Sequence, residues 1–147
     1  MLFGVDVSEV DGNVEWHRMK ERGLGFAMLC AGYGSGSIDL QFRKNAELCN
    51  MLDIPCGAYW MSYAYTTEMA RKEAEFCIET IEEFELAFPL CVKYSGSSVR
   101  YAESKGVNVT EELMQELAKA FCRQAKTAGY ISICCIESNT HRLIFDT

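Results

Sequence analysis

The sequence predicts an α/β fold built on a parallel sheet, and three observations carry that prediction. Short apolar runs alternate with segments whose apolar residues recur at helical spacing, giving the order βαβαβαβαβ. The run from Phe26 to Ala31 is continuously apolar, which fits a strand covered on both faces. Right-handed crossovers between such strands set them parallel with the helices outside. Two architectures satisfy this order, an open doubly wound sheet and a piece of a β/α barrel. Both put functional groups at the carboxyl ends of the strands.

Residues 2–7 form a short apolar strand that carries the carboxylate of Asp6. Asn13 is placed to cap a helix running to about Arg22, with Val14 and Met19 inward and Gly23 as its stop. The second strand, at 26–31, leads into a glycine-rich stretch at 32–37. That stretch has neither a G-K-[ST] ending nor a G-x-G-x-x-G pattern, so nucleotide binding is set aside and a mobile loop is expected. Asp39 is the expected cap of a helix with Phe42, Ala46, Cys49 and Leu52 on its apolar face. Pro55 lies near the start of the third strand, 54–61, where a missing N–H does least harm. Thr66 caps a third helix whose stripe is Ala70, Ala74, Cys77, Ile78 and Ile81, with an acidic, solvated back face. Residues 88–92 are the fourth strand. Thr110, followed by Glu111 and Glu112, begins a helix with Leu113, Leu117, Ala120 and Phe121 inward and Gly129 at its end. Residues 130–136 are the fifth strand, after which too few remain for another strand–helix unit.

The 147 residues suit one domain over 1–147, and a 49% hydrophobic content is enough for a core of its own. A formal net charge of -7, from 21 acidic and 14 basic side chains, argues against non-specific nucleic-acid binding. No apolar run approaches membrane-spanning length, and the amino terminus lacks the pattern of a signal peptide. The expectation is synthesis in the cytoplasm, with release to the cell wall left open. The eight cysteines include no C-x-x-C pair, and His17 and His141 do not sit at metal-ligand spacing. No metal and no other cofactor is expected. The cysteines read as small buried hydrophobes of a reducing compartment, with a disulfide framework as the sharper alternative. A thiol nucleophile at Cys30 or Cys91 would need a histidine base within reach, and His17 lies on the first helix.

Several segments then fall into one pattern. They are Gly4-Val5-Asp6-Val7-Ser8, Gly12-Asn13-Val14-Glu15-Trp16, Ala31-Gly32-Tyr33-Gly34, Asn45, the run from Ile54 to Trp60, Ser62-Tyr63-Ala64 and Val99-Arg100-Tyr101-Ala102. In this order and spacing, from about Leu2 to Tyr130, the chain resembles the family 25 glycoside hydrolases, the lysozymes or N-acetylmuramidases of bacteria and phages. The resemblance implies a β/α barrel, related to the TIM barrel and here truncated after the fifth strand. It also implies peptidoglycan as the substrate class, cut at the β-1,4 bond after N-acetylmuramic acid.

That chemistry needs one carboxyl group with a raised pKa as proton donor and another to stabilise or attack the oxocarbenium-like centre. The family supplies an Asp at the end of the first strand, an Asp-x-Glu after the fourth, and a last Asp from a late strand. Asp6 matches the first position. Aligned without gaps, Lys93 stands at the Asp of the pair and Ser95 at the Glu. A serine is no carboxylic-acid donor near neutral pH, and a lysine beside Asp6 is expected to form an ion pair. Loss of the general acid alone removes about 10²–10⁴ in rate. Tyr33, Tyr59 and Tyr63 cluster at strand ends, where their rings suit stacking on sugars; packing within the fold is the competing role of Tyr33 and Tyr59.

The sequence therefore reads as a muramidase-like pseudoenzyme that binds a protein partner or cell-wall glycan. The alternatives are a residual β-1,4-glycoside hydrolase, using Asp6 with a carboxylate from elsewhere in an assembly, and a decayed prophage product. Five strands cannot close a barrel on the usual geometry, so a homodimer through open sheet edges is expected. The apolar triplet Leu143-Ile144-Phe145 is a candidate to cover an edge.

Overall fold

The computed structural model describes residues 2–137 and 140. Five parallel strands form a curved sheet in the order β1 (Phe3–Val7), β2 (Leu24–Tyr33), β4 (Cys56–Met61), β5 (Leu90–Tyr94) and β6 (Ser132–Ile136). A short strand, β3 (Ser37–Ile38), folds back antiparallel on the end of β2. The helices are α1 (Trp16–Glu21), α2 (Phe42–Met51), α3 (Thr67–Ile81), α4 (Gly96–Ser104) and α5 (Glu111–Thr127). The parallel β/α architecture expected from the sequence is present.

Strand alternation divides the sheet into two chemically different faces. On the helix-covered face, Val7, Ala27, Leu29, Ala31, Ala58, Trp60, Leu90, Val92 and Tyr94 join one core with Trp16, Phe42, Cys77, Leu117 and Phe121. Burying each such large side chain stabilises the fold by roughly 1.5–3 kcal/mol. Trp16 anchors a helix of only six residues, and its indole N–H donates to Asn45 Oδ1 at 3.0 Å inside that core. The opposite, concave face carries Gly4, Asp6, Phe26, Met28, Cys30, Gly57, Tyr59, Cys91, Lys93, Ile133 and Cys135. Their registers place Asp6 opposite Met28, Cys30 opposite Tyr59, Tyr59 opposite Cys91 and Lys93 opposite Cys135.

Four local expectations change. Helix α1 begins at Trp16, and Asn13 does not cap it; its Oδ1 accepts from Lys44 Nζ instead. Asp39 does not cap α2, which begins at Phe42. Its two carboxylate oxygens accept from the N–H groups of Gln41 (2.9 Å) and Glu9 (2.8 Å), tying the exit of β1 to the exit of β3. Residues 96–104, to which the sequence assigns no element, form α4. The glycine-rich stretch is an ordered hairpin, because β2 runs on to Tyr33 and Gly32 pairs with Ile38. Trp60 fastens its turn by donating from Nε1 to Gly34 O at 3.0 Å. The caps Thr66 and Thr110 are as expected, each accepting from a backbone N–H three residues on. The expectations placed on His141 and on the triplet at 143–145 lie outside the described residues.

Among the described residues no helix is long and apolar enough to cross a membrane. Gly32 allows a close approach of backbone: a β-carbon there would meet Ser37 O and lie 2.5 Å from the Trp60 ring. Gly32→Ala should therefore cost on the order of 1–3 kcal/mol through overpacking against backbone, read as a lower urea midpoint at unchanged slope.

Candidate functional site

Side-chain alternation sends the predicted residues to two separate places. Asp6 at the end of β1 and Lys93 near the end of β5 both project onto the concave face. The lysine stem spans that face, and its ammonium donates to Asp6 Oδ2 at 2.7 Å. The ammonium also lies 3.7 Å from the centre of the Tyr59 ring, a cation–π contact made under partial shielding from water. Lys93 is about a fifth exposed and Asp6 about half. Tyr59 itself is only 6% exposed. Burial, with help from Cys30 and Asp6, pushes its phenol well above the ordinary range, so it is neutral. Tyr59 is thus a floor under the ion pair, not an open surface for stacking.

Ser95 has a different partner set. It is buried at the start of α4 and caps that helix: its Oγ accepts from Ser98 N–H, and Ser98 Oγ accepts from Ser95 N–H at 3.1 Å. Ser98 Oγ in turn donates to Ser62 O at 2.6 Å, joining the helix start to the end of β4. The serine at the position aligned with the family's acid is therefore committed to holding backbone.

Tyr33 and Tyr63 line an open cleft of about 460 Å³ with Ser35, Glu73, Phe76 and Tyr101. Tyr63 and Tyr101 pack edge to face, ring centres 5.7 Å apart. The structure thus brings Asp6, Lys93 and Tyr59 together, brings Tyr33 and Tyr63 together, and leaves Ser95 in neither group. The hairpin of β2 and β3 forms one wall of the cleft, and Tyr63 after β4, α3 and Tyr101 of α4 supply the rest.

Three residues of this region were not legible as functional. Glu73 is buried on α3, accepting from Ser62 Oγ (2.5 Å) and Tyr63 N–H (3.0 Å). Desolvation outweighs those bonds and raises its carboxyl to about 7. Its signal was position: it stands three residues after Ala70 and four before Cys77, inside the buried stripe rather than on the acidic back. Tyr101 appeared only as part of a matching segment, because α4 was unrecognised. Asp39 is buried beside Cys30, and burial first, then Asp39, pushes the Cys30 thiol up to about 12. His17 is exposed on α1, so among the described residues Cys30 and Cys91 have no histidine base. No group of three or more metal-ligating side chains occurs among the described residues.

The profile of the Glycosyl hydrolases family 25 matches residues 5–136. No curated protein matches the sequence. Among solved structures, the modular autolysin LytC from Streptococcus pneumoniae is 22% identical with a TM-score of 0.83, over 98% of this chain and 34% of that one. It has also been solved in complex with a synthetic peptidoglycan ligand. A family 25 glycosyl hydrolase from Bacillus anthracis is 22% identical with a TM-score of 0.80, over 99% of this chain and 64% of that one. A GH25 lysozyme from Aspergillus fumigatus is 15% identical with a TM-score of 0.76, over 96% and 66%. The chain thus spans between about one third and two thirds of the length of these structures. At such identities the likeness is one of fold.

Glu73 makes stability depend on pH. Its folded pKa lies above the ordinary carboxyl value of 4.5, so the folded state binds the extra proton. Its contribution is complete below about 4.5 and is lost as pH rises through about 7, a change on the order of 3 kcal/mol. Urea unfolding between pH 4.5 and 7.5 should show this fall in the natural protein and a flatter profile in Glu73→Gln.

Proposed function

The chain belongs to glycosyl hydrolase family 25, and from that membership we propose a muramidase-like domain that binds cell-wall glycan without cutting it. The observation that carries this reading is the partner of Asp6. Glycoside hydrolysis needs two carboxyl groups roughly 5–9.5 Å apart across the scissile bond. Asp6 faces the ammonium of Lys93 at 2.7 Å, and Ser95 is bound into a helix cap. A charge-neutral pair resting on a buried tyrosine offers neither a poised acid nor a free nucleophile.

Glycan binding rests on the cleft. Tyr33 and Tyr63 present aromatic surface beside Ser35, Ser37 and Lys72, the mixture of apolar faces and sparse polar groups that sugars require. The synthetic peptidoglycan ligand bound by the LytC autolysin supports that ligand class. The domain acts in the cytoplasm where it is synthesised, or at the wall after release. Purified protein should not clear cell-wall suspensions, yet should sediment with insoluble peptidoglycan. Tyr33→Ala with Tyr63→Ala should weaken that retention about tenfold through lost stacking. Clearance that disappears in Asp6→Asn overturns the proposal in favour of a residual hydrolase drawing a second carboxylate from another chain.

A second copy of this chain is the partner proposed for the open sheet edges. Among the described residues the sheet has five parallel strands, against the eight of a closed β/α barrel. The concave face holds an apolar hollow of about 580 Å³ lined by Leu2, Phe26, Met28, Phe88, Pro89 and Ile133. Leu2, Phe3, Ile131 and Ile133 stand exposed on the two outermost strands and just before them. Apolar surface of this kind on a parallel sheet favours self-association. Sedimentation should give a dimer that Ile133→Lys converts to monomer; a monomer at every soluble concentration rejects this association.

A further inference from the structure

Cys91 on β5 and Cys135 on β6 form a thiol pair that the site chemistry leaves unused. Both project onto the concave face. Cys91 is opposite Ile133 and Cys135 opposite Lys93, so the two cysteines are one inward step apart on neighbouring strands. Their sulfurs lie 2.7 Å apart, roughly two thirds of an ångström beyond a disulfide bond. Both are free thiols. Cys91 is buried against Cys30 and Tyr59, whereas Cys135 is half-buried at the rim of that cluster and open to small solutes.

The other cysteines lack this combination. Cys49 and Cys56 are neighbours, but both are buried, so an oxidant reaches neither. Cys134 is exposed, yet strand alternation turns it away from Cys91 to the opposite face. Burial pushes the Cys91 thiol far up and keeps it protonated, which leaves Cys135 as the sulfur that reacts first.

We propose that Cys91 and Cys135 are a site of reversible oxidative cross-linking, closed by hydroperoxides, that staples the outermost strand β6 to β5. The peroxide takes two electrons from Cys135 sulfur as its O–O bond breaks, leaving Cys135 as the sulfenic acid and releasing one water from hydrogen peroxide, or the alcohol from an organic hydroperoxide. Cys91 sulfur then attacks Cys135 sulfur. The S–O bond breaks, and the departing hydroxide leaves with the Cys91 proton as water. A dithiol reductant returns both thiols by exchange. The staple closes the stretch containing α4 and α5 and restricts chiefly the unfolded chain. It holds β6 to its neighbour on the side that carries Lys93, opposite Cys135 in register. A reducing compartment keeps the pair open, and an oxidising one closes it.

The test is peroxide treatment of the full chain, followed by alkylation, intact mass and peptide mapping. The expected result is the loss of two of eight free thiols. The cross-linked peptide should contain Cys91 and Cys135, and the melting temperature should rise by on the order of 10 °C. Dithiothreitol should reverse all three changes. Cys135→Ser and Cys91→Ala should each abolish the cross-link and the rise. Peroxide that leaves eight thiols, joins a different pair, or stops at an over-oxidised Cys135 overturns the proposal, and mapping the natural protein decides this even if a variant folds poorly.

Discussion

A parallel sheet needs cover on both faces, and among the described residues this one has helices on one face only. The helix-covered face is conventional, with Trp60, Tyr94 and a line of aliphatic residues packed against the helices and Trp16 of α1. The concave face meets the requirement by other means. Its residues are small, soft or self-covering: Gly4 leaves room for the Phe26 ring, Gly57 leaves room for Met28, and three cysteines gather round Tyr59. At the carboxyl end Lys93 lays its stem across the sheet and ends on Asp6. The charge at each end is thereby neutralised where water is partly excluded, and a strand from the far side of the sheet is joined to the first strand.

That solution decides what the carboxyl end can do. Asp6 keeps its position, but its surroundings are those of a structural ion pair. The tyrosine beneath it is sealed. The open aromatic surface lies in the separate cleft bounded by the β2–β3 hairpin, α3 and α4, where Tyr33, Tyr63 and Tyr101 converge. Glu73 holds the turn after β4 from below, as a buried carboxyl that binds backbone rather than solvent. The open aromatic cleft and the ion pair at the strand ends are thus formed by different residues.

Much of the architecture was legible in sequence because parallel strands write a strong pattern. Continuous apolar runs, glycine stops at Gly23 and Gly129 and threonine caps at Thr66 and Thr110 are local signals, and local physics honoured them. What escaped was set by distant contacts. Asn13 resembles a cap, but Lys44 claims its side chain. Asp39 resembles a cap, but two backbone N–H groups from different segments hold it. The glycines at 32–36 look mobile until Trp60 is seen to fasten their turn. No element is predicted over α4 because serines rather than an apolar run mark its start, and with it went Tyr101. The Asp6–Lys93 pair was foreseeable from the family pattern alone, since 87 residues separate its members and no periodicity links them.

The serine cap of α4 has a consequence for the history of this surface. Restoring a carboxylate at position 93 would set a second negative charge over Tyr59 beside Asp6, with the neutralising ammonium gone. A glutamate at position 95 would put a longer side chain in place of the hydroxyl that caps α4 and would bury its charge. Each single reversal weakens the fold before the other can make it useful. Lys93 and Ser95 are thus both tied into the framework, and adding a carboxylate at either position alone runs uphill.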